Sequence, residues 1–205
     1  MATREAIEPS FDHRTGNDGE GYYIRTFTGR KLYWDRVEEH DFCIEDIAHA
    51  LAMKCRWSGH TTKFYSIAQH SVFTSYHVGR RLREHALLHD ASEAYMPDFP
   101  SPLKWYLLKR GFTELKMIEK RVQRAINLKF NLAPTDADEK AVKKADLLAL
   151  STEHNQLMPV GEERKWMGGI WEGDLDPVGP AAAEQMFLDR WSEIKTIGKY
   201  EEMRV

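Results

Sequence analysis

The 205-residue sequence predicts an all-α protein with one small N-terminal β-hairpin. Three observations carry this. From Ile44 onward apolar residues recur at helical spacing. A β-branched and aromatic stretch is confined to residues 22–34. Proline and glycine clusters fall between the periodic segments rather than inside them.

Residues 1–21 are polar, Gly-rich and unpatterned, and read as a flexible leader ahead of a single domain over 22–205. In YYIRTFTGRKLYW, extended segments flank Thr28-Gly29-Arg30, which predicts the hairpin. A first helix follows over 44–55, with Ile44, Ile47, Ala48 and Leu51 on one face and Asp41 as candidate N-cap. A second is expected over about 66–83, capped by Ser66, with Ile67, Ser71, Thr74 and Val78 aligned. A third runs through EHALLHDASEAY and stops near Pro97, with Pro100 and Pro102 reinforcing the break. Leu115, Ile118, Val122 and Ile126 mark the next helix, and Val142, Ala145, Leu148 and Ala149 the one after it. Residues 159–180 break the pattern; Trp166, Gly168, Gly169 and Trp171 there could form a lid or an oligomer contact. A last amphipathic helix covers AAAEQMFLDRWSEIKTI. No internal repeat or low-complexity tract is present.

Composition narrows the function. The 29 basic residues are slightly outnumbered by 32 acidic ones, a formal charge of −3, so no nucleic-acid polymer is expected as partner. Two cysteines exclude a disulfide framework and suit a reducing, cytoplasmic compartment (a host cytoplasm if the gene is phage-borne). No stretch nears the roughly 20 apolar residues of a membrane span, and the N-terminus lacks a secretory core.

Spacing selects among nine histidines. His70, the His89-Asp90 pair and Asp146 fall on three predicted helices, and imidazole plus carboxylate suits a divalent ion such as Mn, Co, Fe, Zn or Mg. Four ligands would leave positions open for water and substrate. Adjacent helical residues point about 100° apart, so His89 and Asp90 can share an ion only at the edge of a helix face. Glu93, three residues after Asp90, would lie on that face as a general acid/base. His85 forms an i, i+4 pair with His89 but is expected to face elsewhere, and His49 to be structural.

Phosphate recognition needs cations, and a base needs a flat apolar wall. Arg56 offers a fork, Lys104 and Lys143 point charges, and Trp57 with Pro102 two walls; Lys144, His60 and Lys63 could add charge, and Gly59 leaves space.

The string HS…LLHDASEAYMPDFPSPLK…VKKAD resembles the HD-domain metal-dependent phosphohydrolases, in particular the branch of bacterial 5′-deoxynucleotidases and phage dATP triphosphohydrolases. The family's H…HD…D pattern maps onto His70, His89-Asp90 and Asp146, its HDASE element onto 89–93, its D-x-P-x-P-x-K element onto 98–104 and its Arg-Trp pair onto Arg56-Trp57. The resemblance spans about residues 44–155 and implies an HD-domain helical bundle, metal ligation by those four residues, and catalytic roles for Glu93 and Asp98. It further implies a nucleotide pocket lined by Arg56, Trp57, Pro102, Lys104 and Lys143, and a homo-oligomer, dimeric or hexameric.

The expected activity is hydrolysis of a deoxynucleoside triphosphate to deoxynucleoside and triphosphate; the alternative is a 5′-deoxynucleotidase acting on monophosphates. A non-catalytic nucleotide-binding protein would have lost Glu93 or a ligand. A dinuclear HD site would need histidines between His89 and Asp146, where there are none.

Overall fold

The computed structural model describes residues 19, 21–159 and 169–202, with side chains described as far as residue 197. The leader (apart from residues 19 and 21), Trp166 and Gly168 lie outside the described residues. The remainder is mainly helical with one two-stranded antiparallel sheet.

Strands β1 (Tyr23–Arg25) and β2 (Lys31–Tyr33) pair Ile24 with Leu32. The hairpin tip is clasped to the first helix, α1 (Ile44–Met53): Asp46 accepts from Thr28 N–H at 2.7 Å and from its hydroxyl at 2.9 Å. Burial would raise the Asp46 pKa, but the Thr28 and Cys43 hydrogen bonds together hold it below the usual range. His49 stacks on Phe27 at 3.7 Å and pairs with Glu184, so it is a structural joint. The N-cap of α1 is Cys43, not Asp41; Asp41 belongs to a preceding 3-10 turn, where it caps Glu38.

Helix α2 (Ile67–Tyr76) is capped by Ser66, whose hydroxyl accepts from Gln69 N–H at 3.1 Å. It is shorter than its periodicity predicts. The chain turns at His77, whose ring bonds the Phe73 carbonyl, and leaves the helix through Gly79. A 3-10 turn (Arg80–Leu82) leads into α3 (Arg83–Leu87). The predicted continuous helix over 84–95 does not exist. It breaks at Leu88, and a separate 3-10 turn (Ala91–Ala94) follows.

Helix α4 (Ser101–Lys109) starts where prolines had suggested only a break. Pro102 occupies the first turn, where a missing N–H costs nothing. Helices α5 (Glu114–Lys129) and α6 (Asp136–Leu157) follow the sequence periodicity, and Thr135 with Asp138 forms a capping box for α6. The last helix, α7 (Pro180–Glu202), packs on α1 and α2.

The core centres on α2, which meets α1, α3, α6 and α7 and is buried almost all round. Ile47, Leu51, Ile67, Leu87 and Phe187 are fully buried, each worth about 1.5–3 kcal/mol. Arg190 ties α7 to the end of α2 through the Ser75 hydroxyl and carbonyl, at 2.9 and 3.0 Å. Residues 173–178 are strapped down by two amides, Gln156 and Gln69. No described helix is long and apolar enough to cross a membrane. Both cysteines are free thiols.

Candidate metal centre

His70 sits in the middle of α2, and its burial follows from that helix's central place. His89 and Asp90 lie in the turn between α3 and the 3-10 segment, not within a helix as their sequence context suggests. Asp146 projects from α6. These elements bring ligand atoms together: His70 Nε2 lies 3.3 Å from His89 Nε2, 3.2 Å from Asp146 Oδ1 and 3.6 Å from Asp90 Oδ2. His89 Nε2 is 3.3 Å from Asp90 Oδ2 and 3.9 Å from Asp146 Oδ1. The His70, His89 and Asp146 group could hold a metal ion.

The far side of each ring decides which nitrogen carries the proton. His89 Nδ1 is 2.7 Å from the Ala86 carbonyl, which can only accept, so Nδ1 donates. His70 Nδ1 donates to Glu153 at 2.5 Å. In the neutral tautomer both Nε2 lone pairs therefore face inward, toward each other and two carboxylates. Such a set repels itself until a cation enters. Burial, and for His70 also Arg56, would lower both imidazole pKa values, but the carboxylates reverse the sign and raise them. Asp90 and Asp146 are held well below the usual range despite burial, by the two imidazoles. The residues fit a hard or borderline divalent cation.

Glu153 was not among the residues the sequence singled out. Fully buried on α6, it opposes its burial with charge from Arg56 and His70, which keeps it ionised. It accepts from Arg56 Nε at 3.2 Å and Trp57 Nε1 at 3.1 Å as well as from His70. It lies seven residues after Asp146, two helical turns along one face, and that spacing was its available signal. The Trp57 backbone is left-handed at φ 55°, as is Ser58 at φ 52°, a strained pair that turns the indole N–H onto Glu153. Arg56 is 4.0 Å from Asp98.

Glu93 occupies the 3-10 turn after Asp90, so its shared face comes from a three-residue repeat rather than an α-helical one. It is buried, with Oε1 3.4 Å from Lys104 Nζ and Oε2 without a hydrogen-bond partner among the described residues. Burial, then Asp90 and Asp98, push its pKa well above the usual carboxylate range, and Lys104 and Arg56 only partly offset them. Lys54 was also missed. Its ammonium is bonded to the carbonyls of Glu93, Ala94 and Met96 and pins the turn that presents Glu93.

The remaining sequence candidates are distributed as follows. Lys104 pairs with Glu119 at 3.1 Å as well as with Glu93. Lys143 pairs with Asp146 at 2.5 Å. Pro102, Lys144, His60 and Lys63 are exposed. Gly59 adopts φ 80°, so its lack of a side chain serves the backbone rather than a base. His85 pairs with Glu139, at 3.4 Å. Trp171 packs edge-on against Phe73 and His77, and its backbone N–H donates to the Thr152 hydroxyl.

No protein-family model matches the chain. It is 35% identical over 184 residues to the uncharacterized protein YfdR of Escherichia coli strain K12, an alignment covering 86% of this chain and 98% of that one. The chain belongs to the YfdR family. An uncharacterized protein of Rhodobacter capsulatus is also 35% identical, over 152 residues, covering 67% of this chain and 74% of its own length.

Proposed function

We propose that this YfdR-family chain is a metal-dependent phosphohydrolase of the HD-domain kind, acting on deoxynucleotides. The observation that carries the proposal is the inward convergence of His70, His89, Asp90 and Asp146, with each imidazole held in its Nε2-inward tautomer by an acceptor behind it. The helical bundle with a short hairpin is the architecture that this reading needs. Those four residues would hold the ion, of which Co, Mn, Zn, Fe and Mg are all candidates. A divalent ion there supplies Lewis-acid polarisation of a phosphoryl oxygen and acidifies a water.

The chain's own residues handle protons and position. Glu93 takes the proton of the attacking water as the oxygen–phosphorus bond forms. The bond between phosphorus and the nucleoside 5′ oxygen breaks, and Glu93 returns its proton to that oxygen as it leaves. Burial raises the Glu93 pKa, which suits a carboxyl that takes up a proton and returns it. Lys104 orients Glu93, and Asp98 faces Arg56 at the other side of the phosphate position. Arg56 contributes a charged fork, and Lys143 stands beside Asp146. The indole N–H of Trp57 is fixed to Glu153, and Pro102 stands exposed at the head of α4.

Two substrates share this chemistry. The triphosphate reading rests on Arg56, Lys104, Lys143 and Lys144 as partners for about four negative charges. A specific observation favours the monophosphate instead: Arg56, Lys104 and Lys143 are each already paired with an acid, respectively Glu153, Glu93 with Glu119, and Asp146. Incubation with Mn, Co or Mg and a panel of deoxynucleoside mono-, di- and triphosphates tests both. Tripolyphosphate plus nucleoside supports the first, orthophosphate from monophosphates alone supports the second, and no phosphate release with any metal overturns the enzyme.

A further inference from the structure

A cleft of about 330 Å³ opens between α4 and α5, and His89 and Asp90 line part of it. That volume lies at the low end of small-molecule sites, which run from about 300 to 1,000 Å³. Its walls include Trp105, Leu108, Phe112 and Leu115, and Lys104, Lys116 and Lys120 also line it. Trp105 and Phe112 are 64% and 60% exposed, large aromatic surface left uncovered beside the candidate metal ligands.

Trp57, the aromatic residue that the sequence points to for the base, has its indole N–H spent on Glu153 and its ring tilted 5.7 Å from His154. Pro102 is not among the residues lining the cleft.

We propose that the α4–α5 cleft, rather than the Trp57 side, receives the nucleoside half of the substrate, with the aromatic and leucine side chains covering the base and sugar while the phosphate points to His89 and Asp90. The occupant follows from two features of the cleft. It is continuous with two candidate ligands of the phosphate-activating ion, and it sets Lys116 and Lys120 beside apolar walls, with Glu119 taken up by Lys104, which matches a molecule anionic at one end and flat and apolar at the other. The identity of the ligand rests on the phosphohydrolase proposal; the location of its apolar half does not.

The test is binding of unphosphorylated deoxyadenosine to the full chain, followed by calorimetry and by amide chemical shifts. Leu108→Asp should weaken binding about tenfold or more, because it places a charge against an apolar wall. Trp105→Ala, at an exposed position that folding does not need, should weaken it severalfold, and Trp57→Ala should leave it within about twofold. Metal content and thermal melting establish that each variant is folded; if Leu108→Asp does not fold, Trp105→Ala decides alone. The inference is overturned if the native chain does not bind deoxyadenosine, or if Trp57→Ala abolishes binding while the cleft variants bind normally. Nucleotide hydrolysis is scored separately. Hydrolysis by a native chain whose cleft variants bind deoxyadenosine unchanged sinks the cleft and keeps the enzyme, and cleft-dependent binding without any hydrolysis does the reverse.

Discussion

His70 Nδ1 lies 2.5 Å from Glu153 Oε1, joining the middle of α2 to a carboxylate 83 residues further along the chain. Through this bond a fully buried acid sets the tautomer of a candidate metal ligand and at the same time neutralises Arg56.

Glu153→Gln should therefore act on the ion as well as on the fold. Loss of a partner behind a metal-binding histidine typically costs 10- to 100-fold in metal affinity. Removing one half of a buried ion pair costs up to about 3–5 kcal/mol, and here the Arg56 guanidinium keeps only the more distant Asp98 as a partner. Metal titration and a denaturant melt of the same protein read both effects. Native-like metal affinity in a folded Glu153→Gln would show that the bond does not govern ligation.

Asp146→Ala removes an anionic ligand candidate and should cut bound metal well below one ion per chain, with activity falling in parallel. Elemental analysis of protein purified in excess Mn checks this. Full occupancy would show that Asp146 is not a ligand.

Glu93→Gln should keep metal and nucleotide binding yet lose about 10²-fold or more in turnover, the usual scale for a general acid/base. Single-turnover rates at saturating metal make the comparison. Retained turnover moves the proton to another group, with Asp98 next in line.

Acid should loosen the start of α6. The side-chain hydrogen bond from Arg81, with the Thr135 bonds, holds the Asp138 carboxyl below the usual carboxylate range. A pKa lowered by folding contributes stability that is fully present above the unfolded value, about pH 4, and is lost as pH falls through the folded value. Asp138→Asn should accordingly lower the melting temperature at pH 7 and make progressively less difference below pH 4. A pH-independent difference would mean that the charge is irrelevant to the cap.

Periodicity was a good guide wherever one helix face meets the core. Ile44, Ile47 and Leu51 in α1 and Leu115, Ile118, Val122 and Ile126 in α5 all pack inward as their spacing predicts. It misled where the environment is not one-sided. Helix α2 is buried around most of its circumference, so its pattern carries no clear face and its end at Tyr76 is invisible in it. Helix α4 buries no residue at all, so it has no stripe to find, and its prolines looked like terminators when they are starters. The candidate metal-ligand residues were legible from the order and spacing of His70, His89-Asp90 and Asp146 along the chain. Glu153, Lys54 and Glu119 were not, because acids and lysines are common on helices and only tertiary packing turns these three toward the site.

The break in the chain at Leu88 bears on how this protein could be improved or damaged. His89 and Asp90, two consecutive residues, can approach one point from the same side only because regular winding stops between them and the next turn, with Leu88 at ψ 9° and Asp90 at ψ 18°. Substitutions that raise helix propensity across 88–91 would favour continuous winding, swing Asp90 about 100° away from His89 and open the pincer. Stabilisation by consensus or by helix optimisation should thus yield, at this one turn, a sturdier protein with a dismantled candidate site.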